Sequence, residues 1–300
     1  MDPIPIEGYD DLYVLDVDMY DATRYGGVYI LGSDRPAIIE TGIGMRVDRI
    51  LAGVEAVGIA PEDVERIAVT HVHLDHAGGA GYLIDACENA TVSVHKRGAP
   101  HLADPERLIA GTKAAVGDQW QYYAEPRPIP EHRIQSVRDG DEIDLGDRHL
   151  TVREAPGHAS HQVIFHDQDA GVVFTGDAAG IWIPSEQRLT VTSPPPEFDL
   201  EQAISDVDRI IDLEPEILCY THFGAVPASE ELLTGYQQQL KEWVEQIATA
   251  RSNHDTDSAL IEQYVENTAI VEEWGREKSR AETRLNATGA LRYVTKRGED

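Results

Sequence analysis

Residues 70–76, THVHLDH in one-letter code, put three imidazoles and one carboxylate within six positions. The apolar run 67–69 before this motif predicts a buried strand, and the glycine pair 78–79 after it permits a tight turn. We therefore expect the motif to form a loop at a strand end, where a rigid scaffold can aim side chains into a cleft. The first two imidazoles can share one site, and the carboxylate and third imidazole offer ligands for a second ion. The candidate metal ligands in the motif are His71, His73, Asp75 and His76.

Three further ligand-type residues stand directly after apolar strand patterns and beside a glycine. The predicted strands are residues 149–153, 172–175 and 216–220. One such residue alone is weak evidence for a ligand. Four strand-end positions in one chain, counting the motif, fit a shared metal site far better than coincidence. The three additional candidate ligands are His158, Asp177 and His222.

These residues together resemble the metallo-β-lactamase-fold hydrolase superfamily, over residues 12–226 and in the same order along the chain. The resemblance implies an α/β fold, a four-layer αβ/βα sandwich with metals at one edge between two sheets. It also implies two divalent metal ions, with Zn²⁺ expected and Fe or Mn compatible. The implied ligands of one ion are His71, His73 and His158. Those of the other are Asp75, His76 and His222, with Asp177 bridging both ions.

Departures from other branches of the superfamily narrow the resemblance. True β-lactamases carry Cys where Asp177 stands, and flavin-linked diiron members carry Glu where His73 stands. Only 44 residues separate Asp177 from His222, too few for the large inserted domain of one nucleic-acid-processing branch. The chain is most similar to the branch of hydroxyacylglutathione hydrolases and lactonase-like proteins.

The resemblance implies hydrolysis of a thioester, lactone or similar small ester by a metal-bridging hydroxide. Asp75 and Asp177 are the expected catalytic carboxylates, and Asp75 could orient the nucleophile or pass a proton to the leaving group. Three alternatives remain open: an iron-dependent persulfide dioxygenase, an RNA-processing phosphodiesterase, and a binding protein that has lost turnover. The complete second ligand set disfavours the first, and the lack of a basic arm disfavours the second. Intact ligands at all seven positions disfavour the third.

Two other residues have two interpretations each. Glu40 stands where the resembled proteins normally have Asp, and it could support the histidine motif or be a surface residue at a strand end. His161 could hydrogen-bond a metal ligand or only fix its own loop.

The order of predicted elements gives a catalytic domain over residues 1–226 and a helical extension over residues 227–300. Strands and helices alternate in two rounds, which predicts sheets with helices outside. Residues 182–196 are predicted as a loop, and the extension as helices 228–250, 257–276 and 281–296. The segment 118–133 is predicted to cover part of the active-site mouth. Aromatic residues that could line a cleft are Trp120, Tyr122, Tyr123, Trp182, Tyr220 and Phe223.

Acidic residues outnumber basic ones along the whole chain. Asp and Glu number 54 against 25 Lys and Arg, for a net charge of −29, and only five of the cations are Lys. Carboxylates hold hydration, and salt screens their mutual repulsion, so this composition indicates adaptation to a salty cytoplasm. It also disfavours nucleic-acid binding, which depends on Lys and Arg at phosphates.

The expected partner is a small-molecule substrate, with no nucleic acid, no membrane and a possible homodimer. The N-terminus has no signal-like segment, and no apolar run approaches the length of a membrane span. We therefore expect a cytoplasmic protein. The two cysteines, Cys87 and Cys219, have no metal or redox spacing and are expected in the core.

We predict that the melting temperature rises when KCl increases from about 0.1 M to about 1 M, because added salt screens the repulsion among carboxylates. Thermal unfolding followed by circular dichroism at several KCl concentrations measures this. A melting temperature that stays constant or falls would contradict the salt adaptation.

Overall fold

Two β-sheets lie at the centre of the computed structural model, which describes residues 2–298. The first sheet has seven strands in sequence order, antiparallel from β1 to β4 and parallel from β4 to β7. Its strands are β1 Ile4–Pro5, β2 Leu12–Asp16, β3 Gly27–Leu31, β4 Ala37–Ile39, β5 Arg66–Ala68, β6 Thr91–His95 and β7 Ile134–Val137.

The second sheet has six strands in the order β15-β14-β11-β10-β9-β8, and only β11 and β14 run parallel. A separate two-stranded hairpin consists of β12 and β13. The second-sheet strands are β8 Glu142–Asp144, β9 His149–Glu154, β10 Val163–Asp167, β11 Val172–Gly176, β14 Ile217–Tyr220 and β15 Gly224–Pro227, and the hairpin strands are β12 Ile181–Ile183 and β13 Arg188–Thr190.

Helices cover the outer faces of both sheets. Side-chain oxygens at the N-caps of three of them, Asp199, Ser229 and Thr256, accept backbone N–H groups that the first helical turn leaves free. In residues 2–298, no helix is both long enough and apolar enough to span a bilayer. The helices are α1 Val47–Ala56, α2 Leu74–Ala77, α3 Ala80–Ala86, α4 Ala99–Ala103, α5 Glu106–Val116, α6 Leu200–Asp212, α7 Glu230–Arg251, α8 Asp257–Glu266 and α9 Gly275–Arg297.

Three buried apolar clusters hold these layers together. The middle cluster lies between the sheets, where Tyr29 of the first sheet packs edge-to-face on Phe174 of the second. One outer cluster joins the first sheet to α1 and α3, and the other joins the second sheet to α6, α7 and α9. The arrangement is the four-layer αβ/βα sandwich expected from the sequence.

The structure differs from the sequence prediction at residues 182–196. Part of this segment belongs to the β12–β13 hairpin and is not a loop. Ile181 and Ile183 are buried in the first outer cluster, and Trp182 N–H donates to the His222 carbonyl at 2.5 Å. Pairing with neighbouring backbone, which no local pattern reveals, makes the segment extended.

The predicted helix 257–276 is also too long. Helix α8 ends at Glu266, and α9 begins at Gly275, whose φ of 70° suits glycine. The irregular stretch between them buries Val271 and Trp274 in the first outer cluster. Burial of these two apolar side chains favours the break over a continuous helix.

Helix α6 carries a buried carboxylate that holds the turn after β9. Asp206 Oδ2 accepts the Gly157 N–H at 2.6 Å, and Oδ1 accepts the Gln202 side-chain amide at 2.9 Å. A Cβ at position 157 would lie 2.2 Å from the Ala203 nitrogen, so only glycine permits this close approach. Burial raises the pKa of Asp206 to about 6.

We predict that Asp206 makes the fold less stable as pH rises from about 4 to about 6. Its pKa is higher in the folded chain than in the unfolded one, so protonated Asp206 favours folding and ionised Asp206 does not. Asp206→Asn removes this titration, so the free energy of unfolding of the variant relative to wild type should rise by up to about 3 kcal/mol between pH 4 and pH 8. Denaturant unfolding across this range measures it. Asp212→Asn, an exposed site on the same helix, is the control, and parallel curves for wild type and Asp206→Asn would refute the assignment.

Candidate metal centre

The ends of strands from both sheets bring the predicted ligands to one edge of the sandwich. The histidine motif follows β5, and the other three candidates follow β9, β11 and β14. The motif is not entirely a loop as predicted, because Asp75 and His76 lie on the short helix α2. Gly176, with φ of 50°, lets β11 turn beside Thr70, whose Oγ1 would lie 2.6 Å from a Cβ at that position.

All seven candidate ligands converge in the structure. Three sets of potential ligand atoms each lie within 4.8 Å of one another. The sets are His71, His73 and His158; His71, His76 and Asp177; and Asp75, His76 and His222.

Asp177 lies between the set of His71, His73 and His158 and the set of Asp75, His76 and His222. Its Oδ2 is 3.2 Å from His158 Nε2, and its Oδ1 is 3.3 Å from His76 Nε2 and 3.6 Å from His222 Nε2. Asp75 Oδ2 is 3.8 Å from the same His222 nitrogen. A single carboxylate therefore faces imidazoles of both sets, as a bridging ligand requires.

Two of the converging donor atoms lack a hydrogen bond of good geometry. His76 Nε2 and Asp177 Oδ1 are fully buried and, although 3.3 Å apart, form no well-oriented hydrogen bond with each other or with another group of residues 2–298. Leaving buried polar atoms unsatisfied costs about 1–3 kcal/mol each, so such atoms usually have a partner. Imidazole nitrogens mixed with carboxylate oxygens are the donor types that Zn²⁺ and similar divalent ions prefer.

Hydrogen bonds behind the site fix which nitrogen of each ring faces inward. His222 Nδ1 donates to the Tyr25 carbonyl at 2.8 Å, and His158 Nδ1 is 3.2 Å from the Thr192 hydroxyl. His76 Nδ1 donates to Glu40 Oε1 at 3.2 Å. With Nδ1 engaged, Nε2 of each ring faces the centre.

Glu40 is buried, so its interpretation as a surface residue is wrong. It is 1% exposed, and its Oε1 also accepts the hydroxyls of Thr70 at 2.5 Å and Thr221 at 3.2 Å. Its φ of 69° places a non-glycine residue in the left-handed region, a conformation that costs energy and persists where the surroundings impose it. Glu40 thus ties three segments of the site together.

His161 lies behind the first ligands of the motif. Its ring stacks on that of His71 with 6.0 Å between centroids, and its Nδ1 is 3.5 Å from the Val72 N–H. Burial lowers the pKa of His161 to about 2, so the ring is neutral. These contacts are with the ring and backbone of the motif, and no strong hydrogen bond to a ligand atom is present among the described residues.

The pKa values of the histidines shift in opposite directions within the site. Burial lowers the pKa of His71, and burial lowers the pKa of His158 to about 3, so both keep the lone pairs that metal binding requires. Burial also opposes protonation of His76, but Asp177, Glu40 and Asp75 raise its pKa well above the usual value. The carboxylates therefore create a negative field at His76 that favours a cation.

The site opens into a cavity of about 1060 Å³. Of the aromatic residues expected to line a cleft, only Tyr123 belongs to its described lining. Of the segment 118–133, which is predicted to cover part of the mouth, Asp118, Gln119 and Tyr123 line the wall. The wall residues that sequence reasoning missed include Tyr20, Tyr25, Lys278 and Glu282. The i, i+4 spacing of Lys278 and Glu282 indicates an ion pair on one face of a helix, but it does not indicate that this pair lines the cavity.

Comparisons with known proteins identify the family of the chain. The profile of the metallo-beta-lactamase superfamily matches residues 24–222. "Acyl-coenzyme A thioesterase MBLAC2" of Homo sapiens is 31% identical over 182 residues, which are 56% of this chain and 63% of that protein. "Metallo-beta-lactamase fold-containing protein ST1585" of Sulfurisphaera tokodaii is 25% identical over 169 residues, 55% of this chain and 62% of that protein. The matched part thus spans less than two thirds of these relatives.

Solved structures show the same fold. The archaeal ST1585 structure superposes with a TM-score of 0.70 at 19% identity, covering 93% of this chain and 98% of that one. The metallo-beta-lactamase family protein TTHA1429 of Thermus thermophilus gives 0.67 at 20% identity, covering 99% and 92%. Because the family profile spans more than half of the sequence, from the third strand to the last candidate ligand, the chain belongs to the metallo-β-lactamase superfamily.

Proposed function

We propose that this protein is a metal-dependent hydrolase that cleaves thioesters of small-molecule acyl groups. The observation that carries the proposal is the convergence of three ligand sets at the end of a large cavity, where the buried His76 Nε2 and Asp177 Oδ1 lie 3.3 Å apart without a well-oriented hydrogen bond. A cation bound between these atoms would satisfy both of them.

Two divalent ions, with Zn²⁺ the expected metal, account for the full donor set. His71, His73 and His158 would hold one ion, and Asp75, His76 and His222 the other. Asp177 faces both sets and would bridge them. Bound divalent ions supply Lewis acidity, which lowers the pKa of a water nucleophile toward neutrality and polarises a carbonyl group.

The chain's own residues supply proton handling and orientation. Asp75 is partly exposed to the cavity, with 23% of its side chain accessible. Burial opposes its ionisation, but His76 and His222 lower the pKa of Asp75 below the usual value, so it is a carboxylate at neutral pH. Asp75 can therefore accept a hydrogen bond from the attacking water and orient it. The buried Asp177 keeps the two ligand sets in register.

The thioester class is supported by the human acyl-coenzyme A thioesterase, which is 31% identical over 182 residues. A thiolate is a good leaving group, so a thioester needs little protonation of the departing sulfur. This suits a site in which Asp75 and Asp177, the two carboxylates of the ligand sets, have lowered pKa values and are ionised rather than protonated acids. Lactones and simple esters remain further candidates for the same chemistry.

We expect acyl-coenzyme A hydrolysis by Zn²⁺-loaded protein, followed through thiol release, to fall at least about 100-fold in kcat/KM in Asp177→Asn. This substitution keeps the shape of the side chain but removes the charge between the ligand sets. His132→Ala, an exposed histidine away from the site, is the control and should retain wild-type activity.

Other outcomes identify the alternatives. Oxygen consumption with a persulfide substrate and iron-loaded protein would replace the hydrolase with a dioxygenase. Cleavage of a phosphodiester without thioester cleavage would point to a nuclease. Equal thioester turnover by wild type and Asp177→Asn would overturn the assigned centre.

A further inference from the structure

A buried cation from helix α9 stands in the cavity wall beside the candidate metal centre. Lys278 is 7% exposed, and its ammonium lies 4.0 Å from the centre of the Tyr20 ring and 4.1 Å from that of Tyr25. The Tyr25 ring in turn lies 4.6 Å from the imidazole of His222. One aromatic ring therefore separates this ammonium from a candidate ligand. Buried lysines are rare unless they are paired or functional.

We propose that Lys278 donates a hydrogen bond to an amide oxygen on the thiol half of the thioester substrate. Lys278, Glu282, Tyr20 and Tyr25, here called the lysine subsite, would thereby hold the leaving-group arm while the acyl carbonyl reaches the metal centre. This inference rests on the proposed thioesterase function, since it names the part of that substrate which the subsite recognises.

Unused hydrogen-bond capacity is the first argument. An ammonium has three N–H donors. Among residues 2–298, the only acceptor atom hydrogen-bonded to Lys278 is Glu282 Oε2, at 2.8 Å. The two tyrosine faces stabilise the charge electrostatically but offer no oxygen lone pair. An acceptor from a ligand in the cavity would complete the hydrogen bonding of this ammonium.

Two further hydrogen bonds fix the carboxylate of Glu282 beside Lys278. Its Oε2 also accepts the Tyr25 hydroxyl at 2.8 Å, and its Oε1 accepts the Asn286 side-chain amide at 3.0 Å. Asn286 is itself anchored, because its Oδ1 accepts the Ser193 N–H at 2.5 Å. The position of Lys278 is therefore fixed before any ligand arrives, which reduces the entropy lost on binding.

The wall opposite α9 is held in a costly conformation. Four non-glycine residues of the loop after β2 have left-handed backbone, with φ values between 46° and 61°: Asp18, Tyr20, Asp21 and Arg24. The fully buried Asp16 holds them, accepting the Asp18 N–H at 3.0 Å and the Arg24 N–H at 2.8 Å. Such conformations concentrate at functional sites, and here they present Tyr20 to the cavity.

The charge of the subsite selects the ligand chemistry. Lys278 and Glu282 together are neutral, so a ligand carboxylate placed against Lys278 would be repelled by Glu282 at short range. A neutral carbonyl oxygen completes the ammonium without adding charge. In an acyl-coenzyme A type thioester, the thiol half carries amide groups near the sulfur, whereas a hydrocarbon acyl half has no acceptor beyond the scissile carbonyl. An amide of the thiol half is therefore the group that matches.

The test compares two acetyl thioesters that differ only in the thiol half. One is the thioester of N-acetylcysteamine, which has an amide, and the other is the thioester of pentanethiol, which has none. In Lys278→Met, we expect kcat/KM for the amide-bearing substrate to fall about 10- to 100-fold, mainly through KM. For the pentanethiol substrate, the change should stay below about threefold.

Two further variants separate recognition from folding. Lys278→Met/Glu282→Gln removes the ion pair without leaving a buried charge, and it should show the same substrate discrimination at wild-type metal content. Lys296→Met removes an exposed cation from the same helix and should behave as wild type toward both substrates.

Binding without turnover gives an independent measurement. S-methyl-N-acetylcysteamine is a thioether that cannot be hydrolysed, and ligand-observed NMR with Zn²⁺-loaded protein should show its binding weakened by Lys278→Met and by the double variant. Equal losses on both thioesters, or unchanged thioether binding, would overturn the subsite while leaving the thioesterase in place. Failure of the wild-type protein to cleave either thioester or an acyl-coenzyme A would overturn the proposed function, and this inference with it.

Discussion

The convergence of buried imidazole and carboxylate groups at the edge between the two sheets is the constraint on which the rest of the structure depends. Burying an imidazole nitrogen or a carboxylate oxygen without a partner opposes folding. His76 Nε2 and Asp177 Oδ1 are buried 3.3 Å apart without a well-oriented hydrogen bond. These side chains are brought together because strands from both sheets end at the same edge, and the rigid backbone of those strands fixes their positions. A bound cation would convert the cost into stabilisation.

Contacts from outside the ligand set decide how these side chains point. Glu40 joins β4 to the motif through Thr70 and His76, and to the strand end at Thr221. Tyr25 also orients a candidate ligand. Its carbonyl accepts a hydrogen bond from His222 Nδ1, and its hydroxyl donates to Glu282 on α9. The C-terminal helix is thus connected to the candidate centre through one tyrosine. Residues after the last candidate ligand complete the wall of the cavity and do not merely follow it in sequence.

The sequence predicted most of the site because its ligands share a local signature. Each ligand segment follows an apolar strand and stands near glycine, and this pattern can be recognised in the sequence without knowledge of the fold. The buried position of Glu40 could not be derived, since it depends on hydroxyls from residues 70 and 221. Tyr25 and Lys278 were missed for the same reason, because they meet across more than 250 positions of sequence. The hairpin at Ile181–Ile183 and the end of α8 also follow from tertiary packing rather than from local periodicity.

Metal stoichiometry tests the central claim most directly. Metal-free protein in high salt, dialysed against buffered Zn²⁺ and analysed for metal, should bind about two ions per chain because the seven donors form two sets joined by Asp177. Thermal unfolding of the same samples should shift upward with metal, since only the folded chain brings the donors together. One tightly bound ion would contradict the second set. Absence of binding, or binding without a change in stability, would contradict the assignment of this cluster as a metal centre.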